Sequence, residues 1–193
     1  MKTVIVDYDA GNVKSLQFAL ERLGVEAQIT AEPEDISNAD KVIFPGQGEA
    51  ASAMNKLRSN GLDLLIPKLK QPVLGICLGM QLLCKKTEEG GTKCLGILPI
   101  EVVRFPNTVK VPQMGWNLVN HNENGLFEGI EQDCYMYLVH SYFVPITTST
   151  SARSDYAGIY SVAVEKDNFY GVQFHPEKSS KDGLCLLENF LNI

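Results

Sequence analysis

Apolar and polar positions in the first half of the chain change repeatedly from the two-residue period of strands to the 3.6-residue period of helices. The β-branched run Thr3–Val6 predicts a first strand, and apolar residues at positions 13, 16, 20 and 23 share one face of the helix that follows. Gly24 then ends that helix. Further strands are predicted at Val25–Thr30, Lys41–Phe44 and Val73–Ile76. Because such strands need crossover connections, this half predicts a parallel sheet with helices on both faces.

The second half has short apolar runs separated by Asn, Gly, Asp and Pro in place of long helices. Strands are predicted at Glu101–Phe105, Tyr135–Val139, Tyr160–Val164 and Phe169–Phe174. The last two are expected to form a hairpin with residues 165–168 as its loop. The whole pattern predicts an α/β fold in which a mostly parallel central sheet, flanked by helices, is extended by mixed or antiparallel strands.

The last segment of the chain has the pattern of a final helix. Ser179 and Asp182 have the spacing of a capping box, and the helix is expected to bury Leu184, Leu187 and Leu191. No repeat or linker divides the sequence, so residues 1–193 are expected to form a single domain.

Composition narrows the range of partners and compartments. The 193 residues include 17 Lys and Arg against 23 Asp and Glu, which gives a net charge of −6. Because no segment concentrates basic residues, neither nucleic acid nor an anionic membrane is an expected partner. The five cysteines are an odd number without paired spacing, which indicates a reducing compartment and a cytoplasmic location. No apolar run approaches the length of a signal-peptide core or a membrane span.

One motif with the pattern of a reactive nucleophile follows the predicted strand Val73–Ile76. Gly75-Ile76-Cys77-Leu78-Gly79 leads from that strand into a helical run, which is typical of a nucleophile elbow with Cys in place of Ser. Glycines at the flanking positions let a strained turn pack against its neighbours. The N–H of Leu78 would then face a developing oxyanion. The alternative is a buried structural cysteine beside packing glycines.

A thiolate that attacks an amide needs a general acid for the departing amine, and histidine suits that role at neutral pH. His175 ends a predicted strand and is followed two residues later by Glu177, whose carboxylate could hold the imidazole in one tautomer. Extended backbone, favoured by the proline between them, would place both side chains on the same side. His140 has no acid within six residues, and His121 falls in a polar loop. No pair of His and Cys residues has a usual zinc spacing, so no metal is expected.

A second glycine-rich segment follows the third predicted strand. Gly46-Gln47-Gly48-Glu49-Ala50-Ala51 has the form of a dinucleotide fingerprint, but it follows the third strand rather than the first and is preceded by a proline. We therefore expect no nucleotide cofactor. At the carboxyl edge of a parallel sheet, the same loop would present free N–H groups beside the strand that ends in Cys77.

Two motifs together resemble those of the class I glutamine amidotransferases, which are triad glutaminases that supply ammonia to a synthase. They are Gly75-Ile76-Cys77-Leu78-Gly79-Met80-Gln81 and Phe174-His175-Pro176-Glu177. The resemblance covers essentially the whole chain, including 7–12, 45–48 and 139–142. It implies that Cys77 attacks the side-chain carboxamide of L-glutamine, that His175 protonates ammonia and activates water, and that Glu177 orients His175.

The resemblance also implies how the substrate is held. The N–H groups of Gln47 and Leu78 would bind the oxyanion, and members of the family usually carry a small apolar residue where this chain has Gln47. The residues implied to bind the amino-acid part of glutamine are Gly46, Gly48, Gln81, His140, Ser141 and Tyr142.

Further segments resemble those family members that act in histidine biosynthesis. They are 90–91, 96–99, 111–117 and 175–180. This resemblance implies a heterodimer with a (β/α)8-barrel cyclase, toward which Met114, Trp116 and Lys178 would lie. Without it, Met114 and Trp116 would be predicted as core residues, because large apolar side chains are mostly buried. It also implies that glutaminase activity is weak until the partner binds its own ligand.

Three alternatives stay open at this point. The chain could serve another pathway, such as anthranilate, aminodeoxychorismate or guanylate synthesis, since these amidotransferases share the triad. It could also be a catalytically silent binding subunit, or a general cysteine hydrolase or peptidase on a related fold. The segment 112–117 argues against the first alternative, and the complete set Cys77, His175 and Glu177 argues against the second.

Overall fold

The computed structural model describes residues 1–9, 12–123 and 125–193, and it has the predicted alternation of strands and helices in its first half. Ala10 and Gly11, which belong to the 7–12 segment, lie outside the described residues. The strands are β1 (Thr3–Val6), β2 (Ala27–Thr30), β3 (Lys41–Phe44), β4 (Val73–Ile76), β5 (Cys84–Thr87), β6 (Leu98–Arg104), β7 (Gln113–His121), β8 (Cys134–His140), β9 (Tyr142–Phe143), β10 (Thr150–Asp155), β11 (Ile159–Lys166) and β12 (Phe169–Val172). The α-helices are α1 (Val13–Arg22), α2 (Pro33–Ser37), α3 (Ala50–Ser59), α4 (Leu62–Leu65), α5 (Leu78–Leu83) and α6 (Ser180–Asn192). Within these ranges, none of the helices combines the length and the apolar character needed to cross a membrane.

Two sheets are formed within the described part of the chain. The larger has the strand order β2-β1-β3-β4-β12-β11-β10-β7-β8, and the smaller has the order β5-β6-β9. Pairs from β2 to β12 are parallel, whereas those from β12 to β8 are antiparallel. The predicted α/β fold, a parallel core extended by antiparallel strands, is therefore confirmed. Since β3, β4 and β12 are parallel neighbours, the loops that follow them share one edge of the sheet.

The parallel strands are buried on both faces, which explains their continuous apolar runs. In β1, Ile5 packs with residues of α1 and α6, while Val4 and Val6 pack with residues of α3 and α5 on the opposite face. Every residue of β1, β3, β4 and β12 is buried. The edge that carries the candidate site thus rests on two apolar layers.

Several predicted strand boundaries differ from the structure by one to three residues, and the backbone contacts explain two of the differences. The strand predicted from Val25 begins at Ala27, because Val25 still donates its N–H to the carbonyl of Leu20 in the preceding helix. The hairpin between β11 and β12 is tighter than predicted, since Lys166 already pairs with Phe169 and only residues 167 and 168 form the turn.

Strands β7 and β10 have no clear signal in the sequence. β7 mixes polar and apolar residues around a glycine, and β10 has the largely polar sequence TSARSD. Both are strands because their backbones pair with neighbours, β7 with β8 and β10 with β11. The placement of His121 in a polar loop is therefore wrong: it is the last residue of β7 and is buried.

The capping box predicted for the last helix is also wrong. Ser179 precedes α6, but its side chain makes no capping hydrogen bond. Its hydroxyl donates instead to the carbonyl of His175 and accepts the N–H of Tyr137. Within α6, Leu187 and Leu191 are buried as predicted, whereas the third predicted leucine, at position 184, is only partly buried.

Candidate active site

Cys77 lies at the sharp turn between β4 and α5. Its backbone has φ 54° and ψ −110°, a combination that L residues rarely adopt, and its N–H donates to the carbonyl of Val172 at 2.8 Å. Position 79 must be glycine, because a Cβ there would overlap the carbonyl oxygen of Phe44. A strained residue raised between a strand and a helix has the geometry of a nucleophile elbow.

His175 and Glu177 form a buried pair beside this turn. Nδ1 of His175 lies 2.9 Å from Oε1 of Glu177, and the two side chains are 9% and 4% exposed. His175 itself has extended backbone, but Pro176–Lys178 form a turn of 3-10 helix that returns the carboxylate to the imidazole. The two side chains therefore meet by a different backbone path from the fully extended one that the sequence indicated.

The charge of His175 is set by the two side chains that flank it. Burial by itself lowers the pKa of an imidazole, but hydrogen bonds to Cys77 and Glu177 and the negative charges of both raise the pKa of His175 to about 10. The imidazole is therefore charged at neutral pH. A charged imidazole between a nucleophile and a carboxylate can give a proton to a leaving group.

The other two histidines have structural surroundings. Burial, aided by the charge of His175 and opposed by a hydrogen bond with the Tyr142 carbonyl, lowers the pKa of His140 to about 4. His140 is therefore neutral at pH 7. Both ring nitrogens of His121 contact backbone carbonyls, and its ring stacks on a phenylalanine. Across the described residues, no group of three or more His, Cys, Asp or Glu side chains is placed to hold a metal ion.

Gln173 is a residue of this site that sequence analysis did not identify. Its side chain is fully buried, and its Nε2 donates to Sγ of Cys77 at 3.7 Å. Its Oε1 accepts a hydrogen bond from Gln81 at 2.9 Å. Gln173 thus supplies a hydrogen-bond donor to the sulfur of Cys77, while Gln81 fixes the orientation of the Gln173 amide. The signal that could have identified it is its spacing of two residues before His175, since alternate residues of extended chain share a side.

An open cavity of about 280 Å³ lies in front of the Cys77 turn. The predicted site residues that line it are Gln47, Gly48, Cys77, Leu78, Gln81, His140, Ser141, Tyr142, His175 and Lys178. Gly46 and Glu177 line a separate, smaller cavity that shares His175 with this one, while Met114 and Trp116 line neither of the two. The structure thus brings together segments that are far apart in the sequence.

Glu89 also lines the cavity and was not identified from the sequence. Its carboxylate accepts the N–H of Ala50, the first residue of α3, at 2.8 Å. Burial raises the pKa of the Glu89 carboxyl, and the hydrogen bond from Ala50 opposes that rise. Glu89 therefore provides a carboxylate at the wall of a cavity that Cys77 also lines.

The loop Gly46–Gly48 lies against the Cys77 turn. A Cβ at Gly46 would come within 2.8 Å of the carbonyl carbon of Leu78 and would overlap the backbone nitrogen of Gly79, so only glycine permits this approach. Among the residues that the structure describes, none accepts a hydrogen bond from the N–H of Gln47 or of Leu78. Both N–H groups are thus available to a negatively charged oxygen.

Large apolar side chains are exposed on β7 beside the cavity. Met114 is 65% exposed and Trp116 is 52% exposed, so the alternative that they are core residues is wrong. Trp116 lies opposite Tyr137 of β8, with their ring centroids 6.2 Å apart. Nζ of Lys178 lies 5.9 Å from the centroid of the Tyr137 ring. Because Lys178 also lines the cavity, this apolar face and the cavity adjoin.

Comparison with known protein sequences identifies close relatives. A family model described as glutamine amidotransferase class-I matches residues 4–193. The chain is 52% identical, over 196 residues and 100% of both chains, to the imidazole glycerol phosphate synthase subunit HisH of Bacteroides thetaiotaomicron. It is 44% identical to the corresponding subunit of Vibrio vulnificus, over 100% of this chain and 98% of the relative.

Solved structures share the fold at lower sequence identity. One crystal structure described as a glutamine amidotransferase has a TM-score of 0.78 at 22% identity, over 98% of this chain and 97% of the other. A putative GMP synthase subunit from Thermoplasma acidophilum has a TM-score of 0.76 at 21% identity, over 100% and 92% of the two chains. By its full-length match to the family model and its identity to these relatives, the chain belongs to the class I glutamine amidotransferase family.

Proposed function

We propose that this chain is the glutaminase subunit of an imidazole glycerol phosphate synthase, which hydrolyses L-glutamine and passes the ammonia to a cyclase. The observation that carries the proposal is the strained Cys77 turn, which lines the same cavity as His175, the imidazole paired with Glu177 at 2.9 Å. Full-length similarity to HisH proteins supports this pathway over anthranilate, aminodeoxychorismate or guanylate synthesis. A silent binding subunit would have no need of a strained nucleophile.

The first half of the reaction forms a thioester. Sγ of Cys77 attacks the side-chain carbonyl carbon of glutamine, and the N–H groups of Gln47 and Leu78 bind the resulting oxyanion. His175 then gives its proton to the leaving nitrogen, the C–N bond breaks, and ammonia departs. Glu177 orients the imidazole and stabilises its positive charge.

The second half of the reaction releases glutamate. His175, now neutral, takes a proton from a water molecule whose oxygen attacks the thioester carbon. The C–S bond breaks, and the sulfur of Cys77 leaves as a thiolate beside the recharged imidazole. One water is consumed, glutamate and ammonia are formed, and neither half requires a metal or an organic cofactor.

The amino-acid part of glutamine is held by polar groups of the cavity. Glu89 lines the cavity and offers a carboxylate to the α-ammonium group of glutamine. The negative charge of this carboxylate complements the positive charge of the zwitterionic substrate. Gly48 and the backbone of Ser141 supply further hydrogen-bonding groups. Gln81 donates to the carbonyl of Tyr142 at 3.0 Å and so holds that part of the wall in place.

The cyclase, a (β/α)8 barrel in this proposal, binds as a heterodimer to the apolar face formed by Met114, Trp116 and Tyr137. Exposed aromatic side chains in such a cluster are typical of a docking surface. Because Lys178 joins this face to the cavity, a partner bound here would receive ammonia without its release to solvent. The cyclase would combine it with a phosphoribulosyl-formimino nucleotide to give imidazole glycerol phosphate and an aminoimidazole carboxamide ribotide.

Release of glutamate from glutamine tests this function in three mixtures: the chain alone, the chain with the cyclase, and the chain with the cyclase and its nucleotide substrate. We expect a low rate in the first and the highest rate in the last, because partner and substrate binding are coupled. Equal rates in all three would contradict the assignment to this pathway. Cleavage of peptides in preference to glutamine would instead indicate a cysteine peptidase.

A further inference from the structure

Tyr8 makes a buried hydrogen bond to the loop that precedes the proposed oxyanion donor. Its hydroxyl donates to the carbonyl oxygen of Pro45 at 2.7 Å. The side chain is 2% exposed, and its ring packs against Phe44 with a centroid separation of 5.3 Å. Among the described residues, Tyr8 alone donates to the Pro45 carbonyl.

The Pro45 carbonyl is well placed to control the direction of the loop. It belongs to the peptide unit that enters Gly46, and the next peptide unit carries the N–H of Gln47. Gly46 lacks a side chain, so its backbone dihedrals are restrained only by its surroundings. Its contact with Leu78 restrains its position, while the bond from Tyr8 restrains the orientation of the preceding peptide.

The other end of the loop has an anchor of its own. The Glu89 carboxylate accepts the N–H of Ala50 at 2.8 Å and so holds the start of α3. Between the two anchors, Gln47, Gly48 and Glu49 are exposed. A hydrogen bond thus holds each end of the segment that carries the proposed oxyanion donor. Between these two bonds, Gln47 and Gly48 line the cavity.

We propose that Tyr8 is a positioning residue for glutamine hydrolysis, acting through the Pro45 carbonyl to aim the Gln47 N–H at the oxyanion. This role rests on the proposed glutaminase function, because it requires an oxyanion to form in the cavity. Tyr8 is not among the residues that line the cavity in front of Cys77, so it would act only through the loop. Its contribution is to hold a backbone donor in place before the negative charge develops.

The hydroxyl of Tyr8 stays protonated, and so remains a hydrogen-bond donor, over the whole pH range in which the enzyme can be assayed. Burial, and then the negative charge of Cys77, raise the pKa of Tyr8 far above its ordinary value. A change in pH therefore does not break the bond, and only substitution removes it.

The test is Tyr8→Phe, assayed as the complex with the cyclase and its nucleotide substrate. This variant keeps the ring that packs on Phe44 and removes only the oxygen. Loss of a direct oxyanion donor lowers kcat about 10²- to 10³-fold, so loss of the anchor behind it is expected to lower kcat about tenfold. The KM for glutamine is expected to stay within about twofold, because the bond acts on the transition state.

Alkylation of Cys77 by iodoacetamide is the second measurement. That reaction forms no oxyanion, so its rate is expected to be the same in Tyr8→Phe and in the wild type. Tyr170→Phe is the control variant, since it removes a hydroxyl from another buried ring that belongs to the opposite apolar layer. Its kcat is expected to equal that of the wild type.

Wild-type kcat in Tyr8→Phe would overturn the proposal. The proposal would also be overturned if Tyr8→Phe lowered kcat and the rate of Cys77 alkylation by the same factor. That result would mean that the substitution had disturbed Cys77 itself. These results differ from failure of the proposed function, in which the wild-type complex itself would release no glutamate from glutamine.

Discussion

Ser179 and His175 are joined by a hydrogen bond of 2.7 Å, in which the serine hydroxyl donates to the histidine carbonyl. The same hydroxyl accepts the N–H of Tyr137 at 3.0 Å, and the Tyr137 carbonyl accepts the N–H of His175 at 2.9 Å. The backbone of the proposed general acid is thus fixed to β8 by its N–H and, through Ser179, by its carbonyl. Ser179 is fully buried, so water cannot replace its hydroxyl without rearrangement.

Ser179→Ala is therefore expected to lower both stability and turnover. It leaves the N–H of Tyr137 and the carbonyl of His175 without this partner, which should cost about 2 kcal/mol of the free energy of unfolding. Urea unfolding and glutamate release measure the two effects. Ser37→Ala is a matched control, because its exposed hydroxyl donates only to the Pro33 carbonyl, and a change within about 0.5 kcal/mol is expected. Equal stability of the two variants would contradict this role.

Cys77→Ala should separate the glutamine-dependent reaction of the complex from its reaction with free ammonia. Without the sulfur no thioester forms, so glutamine-dependent turnover is expected to disappear, while turnover with added ammonium salt in the presence of the cyclase is retained. Cys185→Ala serves as the control, since this cysteine lies on α6 outside the cavity and should leave glutamine turnover unchanged. Glutamate release that persists in Cys77→Ala would exclude the proposed nucleophile.

The charge of His175 predicts a pH dependence of stability. Its pKa rises from an ordinary 6.5 to about 10 on folding, so protonation favours the folded state. This stabilisation is fully present below about pH 6.5 and is lost as pH rises through about 10. In Glu177→Gln the imidazolium loses its carboxylate partner, and the pKa of His175 is expected to fall. NMR titration of the imidazole in both proteins measures the shift, and an unchanged His175 pKa would refute the pairing.

Trp116→Ala is expected to weaken partner binding while leaving the free chain stable. The side chain is half exposed, so its removal creates no cavity in the core. An aromatic anchor at the centre of an interface contributes about 2 kcal/mol or more, which corresponds to a loss of affinity of about 30-fold. Calorimetric titration with the cyclase measures this loss. Leu64→Ala changes an exposed apolar position on α4 and should bind like the wild type; the same affinity in both variants would place the interface elsewhere.

The parts of the site that were predictable are encoded in short stretches of chain. A strand that runs into Gly75–Gly79 predicts a strained turn because the glycines are needed for its close contacts with neighbouring segments. The His-Pro-Glu sequence brings an imidazole and a carboxylate together whether its backbone is extended or turned, and this is why Glu177 meets His175 although the backbone path differs. The α/β alternation is equally local, since each buried parallel strand is a continuous apolar run.

Contacts between distant segments were decided only by the tertiary structure. Gln173 reaches Cys77 across 96 positions, Glu89 reaches Ala50 across 39, and Tyr8 reaches Pro45 across 37. β10 is a strand because its neighbours satisfy its backbone, and Ser179 bonds to β8 rather than capping its own helix. The sequence by itself determined the class of fold, the sharp turn at Cys77 and the pairing of His175 with Glu177, because these follow from local periodicity and motif spacing. The tertiary structure decided which polar groups hold them in place, because a hydrogen-bond partner is selected by proximity in the folded chain.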